Sequence, residues 1–61
     1  MQMSGKQLLK RLREDGWELD RINGSHHIMK KGDQTLAVPV HGDKPIPTGL
    51  LEKLLKQAGL K

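Results

Sequence analysis

Two leucine stripes of helical period bracket a stretch whose apolar residues alternate, and this order of periods restricts the chain to a small set of folds. Leu8, Leu9 and Leu12 recur about one helical turn apart near the start, and Leu50, Leu51, Leu54, Leu55 and Ala58 do so near the end. Between them, Trp17 and Leu19 alternate with Glu18 and Asp20, and Leu36, Val38 and Val40 repeat at every second position, as in strands with one buried face. Side chains share a face at every second residue of a strand but at three- and four-residue spacings in a helix, so the pattern reads helix, strands, helix.

Local signals mark the boundaries. Ser4 and Gln7 have capping-box spacing, and Met3 and Leu8 the spacing of a hydrophobic staple, so a helix is predicted from Gly5 to Asp15, ended by Gly16. Asn23-Gly24 predicts a hairpin turn with positive φ at both central residues, His26 to Lys31 a second strand, and Gly32-Asp33 a second turn. Two prolines in "GDKPIP", Gly42 to Pro47, predict a loop; Thr48 is the expected N-cap of the second helix and Gly59 its terminator. The expected fold is α+β, in the order α-β-β-β-α, with both helices packed on one face of a three-stranded antiparallel sheet and the other face open. That order is the one of double-stranded-RNA-binding domains, an analogy that speaks to fold before function.

With 61 residues, read as one domain spanning 1–61, folding buries only about 60% of the surface of the unfolded chain. No cysteine is present to add a disulfide or a zinc-thiolate site. That usage suits a reducing compartment, and the N-terminus shows no basic segment followed by an apolar run, so a cytoplasmic location without membrane association is expected. The formal charge of +4 favours a polyanionic partner. Trp17, the one large aromatic, is expected in the core, which leaves no aromatic platform for stacking bases.

The stretch "NGSHHIM" holds two of the three histidines. Neighbouring strand side chains point to opposite faces, so His26 and His27 cannot both enter one site unless the hairpin is bulged, and one of them is expected to be structural. His26 shares parity with Ile28 and Lys30, His27 with Met29 and Lys31, and polarity alone does not say which set is buried. Imidazole titrates near neutral pH, which suits it to remove the proton from an RNA 2′-hydroxyl or to protonate a leaving oxygen, without a metal. A single strand histidine is more often an ordinary surface residue. No metal site and no cofactor are expected: adjacent histidines face apart, His41 lies a strand away, and no third ligand completes a set.

Gly24 is explained by the turn itself, and its missing side chain would also let a phosphate approach, with the Ser25 hydroxyl as a further hydrogen-bonding group. Lys6, Lys10 and Arg13 fall on one side of the first helix, and Lys30 and Lys31 end the second strand. Together they could follow a nucleic-acid backbone, although such charges more commonly form a solvated face.

The segments "LLKRLREDGWELDRINGSHHIM", with its "DGW" and "GSH", then "LAVPVHG" and "IPTGLLEKLLKQAGL", resemble the HicA toxins over nearly the full length. These are small RNA-cleaving mRNA interferases paired with HicB antitoxins. The resemblance implies the dsRBD-like fold and carries the catalytic role onto His26, which follows Gly-Ser, with Gly24 as the associated glycine and His27 as the alternative under a one-residue shift. The chain departs from many members in placing Met29 where an aromatic is common, and in having Thr48-Gly49-Leu50 where Gly-Thr-Leu is frequent.

The leading expectation is therefore a metal-independent ribonuclease toxin that cleaves mRNA, monomeric when free and neutralised by a HicB-type antitoxin. A non-catalytic double-stranded-RNA-binding module is the alternative, and a protein-binding domain with its open sheet face covered by a partner is a third.

Overall fold

Ser4 decides where the chain becomes helical. The Gln7 N–H donates to Ser4 Oγ at 3.2 Å, and the Ser4 N–H donates to Gln7 Oε1 at 2.9 Å, so the capping box is complete. The computed structural model describes residues 2–61, and in it this cap opens α1 (Gly5–Glu14). Asp15 serves as the C-cap, so the helix is one residue shorter than its periodicity suggests. Gly16 has a φ of 97°; its N–H donates to the Arg13 carbonyl, and the Trp17 N–H to the Leu12 carbonyl, a Schellman closure that turns Trp17 into the core.

β1 (Glu18–Asn23), β2 (His26–Lys31) and β3 (Gln34–Pro39) follow, and then α2 (Thr48–Gln57), which gives the expected α-β-β-β-α order. The sheet is antiparallel, with β2 in the middle. Met29, Leu36 and Val38 are buried on one face against Leu8, Leu9 and Leu12 of α1 and Leu51 and Leu54 of α2, so both helices cover the same side. Ile46, from the proline loop, also enters this core; its N–H donates to the Met3 carbonyl at 2.7 Å and ties that loop to the start of α1.

Three local expectations are corrected. The two residues that turn β1 into β2 are Gly24 and Ser25 rather than Asn23 and Gly24: Asn23 pairs with His26, Gly24 has a φ of 63°, and among the described residues no other residue type has positive φ. Glycine at the first central position followed by an ordinary residue is the type II′ pattern, which matches strand twist as well as the Asn-Gly turn does. Thr48 is not the cap of α2. Pro47 takes that position without a side-chain hydrogen bond, and its carbonyl accepts the Leu51 N–H at 2.8 Å.

The third correction concerns β1, which has no buried face. Both helices rest on β3, the opposite edge, and their cover does not reach β1, so Leu19 is 39% exposed and Ile22 57%. A register shift between Leu19 and Arg21 leaves Asp20 without a partner, so Leu19 pairs with Met29 and Ile22 with His27 on the same face despite their odd spacing.

Gly5 lets α1 seat on β3. A Cβ there would overlap the Pro39 carbonyl oxygen and come within 2.9 Å of Val40 Cα, both backbone atoms. Alanine is the better helix former by roughly 1 kcal/mol, whereas forcing a methyl group into a filled contact costs about 1–3 kcal/mol. The clash should prevail because the obstructing atoms are backbone: Gly5→Ala is expected to lower the unfolding free energy by up to about 2 kcal/mol. Urea titration checks this, and a variant as stable as the parent would show that the contact gives way freely.

Candidate active site at the hairpin end

The Ser25 carbonyl accepts the Val40 N–H at 2.8 Å, which extends the pairing of β2 with β3 one residue past both strands. This brings Val40 and His41 beside the Gly24-Ser25 turn. Gly5 meets Pro39 and Val40 from the helix side, so the first turn of α1 arrives at the same end. Lys6 comes with it and lies 3.7 Å from Asp43 Oδ1 in the loop after His41. All three histidines and Lys6 therefore gather at one end of the molecule.

Strand parity separates the adjacent pair. His27 lies opposite Ile22 and the fully buried Val38, on the helix side; it is half-buried, and its Nδ1 is buried without a hydrogen-bond partner among the described residues. His26 lies opposite Asn23 and Pro39, on the open face, and is exposed. The bulge in β1 lies at Asp20, away from this end, so it does not bring the two imidazoles together.

The five basic residues singled out from sequence do not converge. Lys30 shares the open face with His26, four strand steps away, or about 13 Å. Lys31 takes the opposite face and lies 3.8 Å from Asp15 Oδ2 at the far end of α1. Lys10 and Arg13 are exposed along the helix between these ends, so of the five only Lys6 stands at the histidine end. The pairs Lys6–Asp43 and Lys31–Asp15 are exposed, and such pairs contribute little to stability; a phosphate can replace the carboxylate at small cost.

Among the described residues no three His, Cys, Asp or Glu side chains form a group able to hold a metal ion. An apolar cavity of about 240 Å³ lies along α2 between Thr48 and Lys61, and no histidine lines it. That cavity is therefore separate from the exposed His26.

Compared with known protein families, residues 5–60 match the family described as the HicA toxin of bacterial toxin-antitoxin. The chain belongs to the HicA toxin family. This makes it a toxin of the toxin–antitoxin kind, whose partner kind is an antitoxin. No curated protein gives a significant match. Among the described residues of this HicA toxin, no helix is long and apolar enough to cross a membrane.

His41 is the member of the histidine end that sequence reasoning set a strand away. The signal for it was the alternation of Leu36, Val38 and Val40, which continues past the end of β3 and delivers the next residue to the hairpin turn. Gly24 meets no atom within 4 Å at its Cβ position, so a side chain there is opposed by backbone conformation alone. Gly24→Ala should lower stability by about 1–3 kcal/mol, the usual range for an ordinary residue held at such a φ. Equal stability of the two proteins in a denaturant titration would mean that the turn does not depend on positive φ.

Proposed function

We propose that this HicA toxin is a metal-independent endoribonuclease that cleaves mRNA in the cytoplasm, with His26 as general acid or base. The observation that carries the reading is an exposed imidazole directly after the Gly24-Ser25 turn, in a chain that matches the HicA toxin family from residue 5 to residue 60. Cleavage of RNA without a cofactor needs a group that exchanges protons near neutral pH and cationic groups that hold the phosphoryl oxygens. His26 supplies the first, and Lys6, the sequence-selected cation at the same end of the molecule, is suited to supply the second. The exposure of His26 supports it over His27, whose half-buried ring suits a packing role.

With RNA in excess EDTA, the parent protein is expected to cleave and His26→Ala to cleave about 10²–10⁴-fold more slowly, the range for loss of one proton-transfer group. His27→Ala should retain most of the activity and melt at a lower temperature. If His26→Ala cleaved as well as the parent while His27→Ala did not, the assignment would pass to His27. RNA bound but left intact by the parent would favour a double-stranded-RNA-binding module, a reading supported by the row Lys6, Lys10, Arg13 along α1.

The antitoxin in this proposal is of HicB type and covers the open sheet face, burying His26 and competing directly with RNA. A saturated complex should neither bind nor cleave RNA, and binding by the free toxin should weaken steeply with salt. Cleavage persisting at saturation would overturn the competitive arrangement.

A further inference from the structure

We propose that His41 is the second proton-transfer group of this site and acts with His26 on opposite oxygens of the scissile phosphate. The inference rests on the ribonuclease reading above and adds the partner that His26 requires.

The chemistry calls for two groups. As the 2′-oxygen attacks phosphorus, its proton passes to a base, the 2′-O–P bond forms and the P–O5′ bond breaks, while an acid gives a proton to the departing 5′-oxygen. The products are a 2′,3′-cyclic phosphate and a 5′-hydroxyl, and one proton has moved from substrate to base and another from acid to product. Attacking and leaving oxygens lie roughly in line through phosphorus, on opposite sides of it. A single imidazole fixed on one side reaches one of them, so His26 alone leaves one transfer without a donor or acceptor.

The backbone places His41 for the other transfer. The Ser25–Val40 hydrogen bond carries the β2–β3 register one residue beyond the strands, and Val40 packs against the core. Alternation then sends the next residue, His41, to the open side, the side of Pro39, which lies opposite His26. In that register His26 and His41 are diagonal neighbours, about 7–8 Å apart at the backbone. That spacing leaves room for a phosphate between the two rings. The Lys44 N–H donates to the His41 carbonyl at 3.1 Å and Gly42 turns the chain with a φ of 58°, so the His41 backbone is held in a closed turn.

Other candidates at this end fit less well. His27 faces the helix side. Asp43 is an exposed carboxylate beside the Lys6 ammonium, and a carboxylate is in general both a weaker base than an imidazole and, when ionised, without a proton to give a leaving group. Lys6 and Lys44 suit charge stabilisation, and the chain has no cysteine or tyrosine. Imidazole is the side-chain type that can hold or release a proton at neutral pH.

The test uses the full chain and its His26→Ala and His41→Gln variants on two substrates: ordinary RNA, and RNA with sulfur in place of one bridging 5′-oxygen, whose thiolate leaves without protonation. His41 is exposed, so His41→Gln should melt like the parent while cleaving ordinary RNA about 10²–10⁴-fold more slowly. The bell-shaped pH dependence of kcat/KM in the parent should lose one limb in this variant. The sulfur substrate should restore whichever variant lacks the acid and leave the other slow, which supports the pair and assigns the roles. His41→Gln cleaving within a few-fold of the parent with both limbs intact would overturn the inference and leave the ribonuclease reading standing. So would a slow variant that keeps both limbs when the sulfur substrate restores neither protein. No cleavage by the parent would overturn both.

Discussion

The seating of the first turn of α1 on the end of β3 is the contact on which the arrangement of this protein depends. Without a side chain at Gly5, the helix backbone meets the Pro39 carbonyl and Val40 directly. The same turn is held from other sides by the Ser4–Gln7 capping box, by a β-bridge from Ser4 to Pro45 and by the hydrogen bond from Ile46 to Met3. One helix terminus thus joins the sheet edge to the loop that leads into α2. The segment between, Val40 to Lys44, is pinned at both ends, which is what a loop needs in order to hold a side chain in a fixed place.

How much of this was legible in sequence depended on how far each signal reaches. The capping box and the closures at Gly16 and Gly59 involve residues a few positions apart, and all three stand as read; at Gly59 the Leu60 N–H donates to the Leu55 carbonyl just as Trp17 does to Leu12. The limits of β2 were equally local. What escaped was decided by distant parts of the chain. Leu19 looked buried because it alternates with charges, but its exposure depends on where two helices remote in sequence come to rest. Thr48 has the chemistry of a cap, yet Pro47 takes that position. Ile46 lies in a stretch whose prolines announce a loop, and its burial follows from the long-range bond to Met3.

The candidate site divides in the same way. That His26 and His27 face apart followed from strand parity, and Met29 in the core settles which side each takes. The gathering of His41 and Lys6 at the hairpin end was not legible, because it needs the register of β3 against β2 and the direction of α1 across the sheet. Conversely, Lys30 and Lys31 looked like a pair but belong to opposite faces. Adjacency in sequence therefore overstated the basic cluster at the end of β2 and hid the cluster of imidazoles at its start.

The candidate site is exposed because the helices cover only part of the sheet. Two helices of ten residues each cover one face of a three-stranded sheet, and even there they leave β1 bare. Among the described residues no element lies over the other face, which is open. The open face carries His26 and, on the inference above, His41, while the covered face carries Met29, Leu36, Val38 and the half-buried His27. The helix layer that builds the core on one face thus leaves the His26 imidazole uncovered on the other.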